Sequence, residues 1–124
     1  VRRTLDPRSI ALRCAELADQ KKASDIVILD VKNIFPLSSY FVICSGESDR
    51  QVRAIASNIE EVLGKDKIFP MGIEGLTEGK WVLMDYDEVI LHIFQEEVRS
   101  FYDLENLWSD APRIKEKMIE RRGA

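Results

Sequence analysis

The chain has 124 residues, the size of one domain, and its 45% hydrophobic and 32% charged residues make a globular composition, not a disordered one. Eighteen Lys+Arg against 22 Asp+Glu give a formal net charge of −4 and a pI near 5.1, which speaks against a protein that wraps nucleic acid. No apolar run approaches the roughly 20 residues that span a bilayer, and a single histidine without Cys or His at ligand spacing excludes the common zinc constellations.

Val1-Arg2-Arg3 leads directly into a helix signal, so no secretory signal peptide is expected. Asp6 is a good N-cap, and Pro7 suits the first helical position, where its missing N–H is no loss. Ile10, Ala11, Cys14, Ala15, Leu17 and Ala18 then recur at helical spacing, and the helix is expected to end near Lys21-Lys22. A first strand is predicted over 25–32, where Ile26-Val27-Ile28-Leu29 has the composition of a strand buried on both faces. Tyr40-Phe41-Val42-Ile43-Cys44 is the second strand, ended by Ser45-Gly46.

Ser48 and Gln51 form a capping box. Val52, Ile55, Ala56, Ile59, Val62 and Leu63 make the apolar stripe of a second helix, with Gly64 placed to close it. Residues 68–73 predict a weak third strand interrupted by Pro70 and Gly72. Trp81-Val82-Leu83-Met84 and Val89-Ile90-Leu91-His92-Ile93-Phe94 are strands four and five, joined as a hairpin through Asp85-Tyr86-Asp87-Glu88. A third helix follows, with Val98, Phe101, Tyr102, Glu105 and Trp108 on one face, and Ala111-Pro112 stops it. The order αββαβββα predicts an α/β fold: a mixed five-stranded sheet flanked by helices, with strands two and three parallel. The domain is expected over 6–111. Residues 112–124 are a charged C-terminal tail, rich in Lys and Arg, read as a short exposed helix or a solvated tail.

Few residues suit chemistry. The turn Ser45-Gly46-Glu47-Ser48 before a helix has the position of an anion site but lacks the lysine and glycine spacing of a P-loop, and Glu47 and Asp49 oppose a phosphate. A metal-dependent nucleotidyl transfer would use Ser45, Ser48 and the Asp85/Asp87 pair, but a hairpin turn offers those acids solvent rather than a shared face. Cys14 and Cys44 read as buried free thiols in a reducing compartment. A His92–Cys44 catalytic pair is conceivable, but His92 fits better as a hydrogen-bonded strand residue. No catalytic, cofactor or metal site is therefore expected. What remains is a charge pattern: Asp85, Asp87, Glu88, Glu96, Glu97, Asp103, Glu105 and Asp110 with Arg99 as the only base between them, interleaved with Tyr86, Phe94, Phe101, Tyr102 and Trp108 and preceded by Trp81. Such a segment is either core aromatics beside a solvated face or a surface that docks on a basic protein.

Several linked blocks resemble the ribosomal silencing factors of the Iojap type (RsfS), from about Ile10 to Ala111: Asp25 to Val31, Tyr40 to Val52, Gly72-Ile73-Glu74-Gly75, and Trp81 to Phe94 running on to Arg99–Trp108. The tail from Pro112 has no counterpart in that resemblance. It implies a nucleotidyltransferase-like fold without the catalytic carboxylates and a protein that is not an enzyme. It also implies binding to ribosomal protein fourteen of the large subunit, steric blocking of subunit association, and repression of translation when nutrients are scarce. The implied location is the cytoplasm, or a mitochondrion or chloroplast for forms tied to large-subunit assembly; no membrane partner is implied. Peripheral rRNA contact by the basic tail and a homodimer of the free protein stay open. With that resemblance, the partner-binding residues are expected to be Trp81, Asp85, Tyr86, Asp87, Glu88, His92, Phe94, Glu96 and Glu97.

Overall fold

Helix α1 (Pro7–Gln20) starts where Asp6 and Pro7 predict, with Asp6 Oδ1 accepting the Ser9 N–H at 2.8 Å. Its buried face is Ala11, Cys14, Ala15, Leu17 and Ala18. These are mostly small side chains, so the helix lies close against the sheet. The computed structural model describes residues 6–114. Within them the elements are α1, β1 (Ser24–Asp30), β2 (Tyr40–Gly46), α2 (Asp49–Lys65), β3 (Gly72–Glu74), β4 (Trp81–Asp85), β5 (Val89–Gln95), α3 (Glu96–Tyr102) and α4 (Leu104–Leu107).

The sheet has the order β1-β2-β5-β4-β3. Only β2 and β5 pair in parallel; β1–β2, β5–β4 and β4–β3 are antiparallel. Strands β2 and β3 do run in the same direction, as predicted, but β5 and β4 lie between them. The α/β class and the mixed five-stranded sheet are as expected from the sequence. α1 and α2 cover one side and enclose the larger core, which takes Ile26 and Ile28 from β1, Val42 and Cys44 from β2, Val82 and Met84 from β4, and Leu91 and Ile93 from β5. The opposite side has a smaller core of Leu29, Val31, Phe41, Ile43, Phe94 and Ala111, with Phe35, Val98, Leu104 and Trp108 packed on it.

Four local expectations change. Gly64 does not end α2; the helix continues to Lys65, and Lys67 takes the left-handed turn at φ 65. Ile68 N–H bonds back to Leu63 O and Lys67 N–H to Gly64 O, a Schellman closure. β3 covers Gly72–Glu74 rather than 68–73, because Pro70 cannot donate to a ladder. The third helix is two helices, broken at Asp103 with φ 48. Phe101 consequently does not join a buried face with Trp108; it is 80% exposed. Finally, Pro112–Ile114 belong to the folded unit. Asp30 N–H donates to Pro112 O at 2.8 Å, Ile114 N–H donates to Ile28 O at 2.9 Å, and Arg113 faces Leu29 as an antiparallel bridge. The short segment therefore seals the outer edge of β1, where unpaired groups invite association. The rest of the expected tail, 115–124, lies outside the described residues.

Candidate docking face

Strand alternation sorts the candidate residues before any chemistry does. On β5, Val89, Leu91 and Ile93 go beneath α1 and α2, while Ile90, His92 and Phe94 go to the opposite side. On β4, Val82 and Met84 face the helices, and Trp81, Leu83 and Asp85 face away, each only partly buried. Beyond them Glu74 of the edge strand β3 is exposed. The β4–β3 part of this side is thus an accessible sheet surface, next to the aromatic cluster that covers β2 and β5.

A chain of rings, most of them buried or partly buried, runs from Trp81 into the core beside that surface. Trp81 stacks on Phe94 at 4.8 Å between centroids and leans on Tyr102 at 4.9 Å. Its indole Nε1–H donates to His92 Nδ1 at 3.2 Å. The His92 ring meets Phe41 edge-on at 5.2 Å, and Phe41 meets both Phe35 and Trp108 in the same manner. Burial pushes the His92 pKa down to about 4, so the imidazole is neutral near pH 7. Tyr102 and Phe101 remain 54% and 80% exposed, and with Trp81, Val98, Lys80 and Glu97 they line a groove at the end of β4 and β5.

The predicted acids fall into two groups. Asp85 Oδ1 accepts the Asp87 N–H at 2.8 Å, which supports the left-handed Asp87 (φ 71) at the hairpin tip. The exposed Glu88 carboxylate accepts from Ser39 Oγ, and the Glu88 carbonyl accepts from Ser38 Oγ and from the Ser39 and Tyr40 amides. The tip is therefore fastened to the chain entering β2. Glu96 and Glu97 are exposed at the start of α3, where Glu96 accepts from Ser24 Oγ at 3.3 Å. The length of β5, about 20 Å for seven residues, separates the two groups.

Three of the expected contact residues are buried. The Tyr86 ring is buried in the core under the helices, on the other side of the sheet. Phe94 is fully buried and acts as the floor beneath Trp81. His92 is also buried, 6% exposed, and accepts the Trp81 indole N–H. The chemical alternatives separate as well. Cys44 faces the helices and His92 the opposite side, so they make no pair; burial raises both Cys14 and Cys44 to about 12. Ser48 Oγ caps α2 by accepting from Gln51 N–H. Ser45 sits beside Phe94 at one end of the sheet, and Asp85 beside Ile90 at the other.

Sequence reasoning missed the role of Arg99. Its guanidinium, 8% exposed, donates through Nη1 to Asp25 O at 2.6 Å and Ser45 Oγ at 2.8 Å, and through Nε and Nη2 to both Glu105 oxygens. The break at Asp103 makes this pair, since on a continuous helix Glu105 would point about 120° away from Arg99. A lone cation amid acids was the available signal.

The chain matches the family model described as "Ribosomal silencing factor during starvation" over residues 4–124. That range includes the tail from Pro112, which the resemblance had left without a counterpart. The chain is 42% identical over 108 residues to the ribosomal silencing factor RsfS of Bacillus subtilis (strain 168), which covers 87% of this chain and 92% of the relative. It is 31% identical over 96 residues to the Mus musculus protein named "Mitochondrial assembly of ribosomal large subunit protein 1", 75% of this chain and 42% of that one. The crystal structure of a protein from Chromobacterium violaceum superposes with a TM-score of 0.82 at 31% identity, over 85% of this chain and 88% of the other.

Proposed function

The chain belongs to the ribosomal silencing factor family, and from that membership we propose that it docks on ribosomal protein fourteen of the large subunit and blocks the small subunit by bulk alone, repressing translation when nutrients are scarce. The observation that carries this reading is the Trp81-centred sheet face with acids at both of its ends. Trp81 and Tyr102 supply contact area; Asp85, Asp87 and Glu88 at one end, and Glu96 and Glu97 at the other, meet Lys or Arg of the partner. An acidic surface is drawn to a basic ribosomal protein and repelled by rRNA phosphate, so the sign of the charge selects the landing site. Steric blocking requires no chemistry. The nucleotidyl-transfer alternative is disfavoured by the separation of Ser45 from Asp85 along the sheet.

The bacterial cytoplasm is the proposed location, supported by the identity to the B. subtilis relative. A role in organellar large-subunit assembly is the second reading, favoured by the name of the mouse relative. The test is sedimentation with isolated large subunits followed by challenge with small subunits. The protein should co-sediment and reduce joining, and Trp81→Ala and Asp87→Lys should each weaken the effect. Undiminished joining at saturating protein sinks the proposal. Sedimentation of the free protein in the same series reports any homodimer.

A further inference from the structure

We propose that His92 is a positioning residue of the docking face, holding the Trp81 indole in one orientation for the partner at the expense of the fold's own stability. The inference rests on the docking reading above and names how its anchor is set.

An indole N–H only donates, so the 3.2 Å contact from Trp81 Nε1 requires a lone pair on His92 Nδ1. The neutral ring must then carry its proton on Nε2. That nitrogen is buried and has no hydrogen-bonding partner among the described residues. The edge-on Phe41 ring offers at most a weak π contact. A buried donor without an acceptor is unfavourable, and an apolar residue in its place would remove the penalty. The neighbours on the same side of β5, Ile90 and Phe94, are both apolar. Packing alone therefore favours Leu or Phe at position 92.

What histidine adds is an acceptor for Trp81. Stacking on Phe94 and leaning on Tyr102 hold the indole in its layer without choosing among orientations in that layer. The hydrogen bond chooses one. Preorganising a large aromatic anchor lowers the ordering penalty of association. It also engages the indole N–H, so Trp81 presents ring surface rather than a donor. That surface suits the stem or cationic head of a Lys or Arg from a basic partner.

The experiment compares His92→Leu, His92→Gln and Trp81→Ala in the full chain, reading affinity for isolated large ribosomal subunits, the unfolding midpoint, and the Trp81 indole N–H resonance. His92→Leu should weaken binding by about fivefold to tenfold, leave the midpoint unchanged or raised, and shift and deprotect the indole signal. His92→Gln, whose carbonyl can accept the indole N–H, should recover most of the affinity. If His92→Leu binds as tightly as the parent while Trp81→Ala does not, the positioning role is wrong and the docking reading stands. If His92→Leu loses stability in parallel with affinity, the histidine is structural and the proposal is overturned. If Trp81→Ala leaves affinity intact, the docking reading fails and takes this role with it.

Discussion

Arg99 is the only cation among the acids from Asp85 to Asp110, and its charge is used inside the fold. It joins the start of β1, the end of β2 and helix α4 in one contact set, so its removal leaves the partly buried Glu105 without its ion-pair partner, with Arg113 as the remaining counter-charge. Burial works to raise the Glu105 carboxyl, but the Arg99 hydrogen bonds and positive charge outweigh it and hold the group below its ordinary 4.5. A carboxyl depressed in the native state binds fewer protons folded than unfolded as pH falls. Its share of stability is therefore present above 4.5 and is lost as pH drops through the native value. Arg99→Met should lower the unfolding free energy at neutral pH by about 3 kcal/mol. In urea unfolding followed across pH, the gap to the parent should narrow below 4.5. The sequence showed a base among acids, but which acid it meets depends on a chain reversal that no helical spacing encodes.

At the scale of elements, α1 and β2 were legible at both ends, whereas the end of α2, the start of β3 and the break after α3 were not. Ser48-x-x-Gln51 marks the start of α2 because the side-chain acceptor and the orphan N–H are local partners. Gln51 also reaches outward: Oε1 accepts from Glu47 N–H, and Nε2 donates to the Lys21 and Lys22 carbonyls, tying α1 to α2. α1 ends at the expected Lys21-Lys22, with Lys22 left-handed, but α2 closes on the left-handed Lys67 rather than at Gly64. Gly75 is different. Its φ is +83, and an added Cβ would lie 2.1 Å from the Trp81 carbonyl oxygen, so only glycine permits the loop to pass the first residue of β4. Gly75→Ala should lower stability by more than about 2 kcal/mol. It should also disturb the near-UV signal of Trp81, measured by thermal unfolding and circular dichroism. A normal near-UV spectrum at full stability would contradict this coupling.

For the whole molecule, the net charge of −4 matters less than where the acids sit. The Asp87 group and the Glu97 group stand at opposite ends of β5, with the Trp81 ring chain between them. If one basic partner spans the face, the two ends act independently, since groups that far apart couple weakly. Asp87→Lys and Glu97→Lys should each weaken large-subunit binding several-fold, more at low salt, and the double variant should show the product of the two effects. Lysine is tolerated in the left-handed turn, as Lys22 and Lys67 demonstrate, so Asp87→Lys should report on charge rather than folding. An effect confined to one end would place the partner there alone. By itself the sequence determined the class of fold, the family, the identity of nearly every element, and the acidic, aromatic character of the segment after Trp81. The family follows from the resemblance of linked sequence blocks in their order and spacing, and the rest from short-range periodicity and composition, which a chain carries locally. The tertiary structure alone decided which of those residues share a surface. Sheet alternation sends Tyr86 beneath the helices and Phe94 beneath Trp81, and the turn at Asp103 brings Glu105 to Arg99. Pairing β2 with β5 places the ring chain beside the partly exposed outer side of β4. Each of these outcomes depends on how distant segments pack, and the local pattern of residues does not specify it.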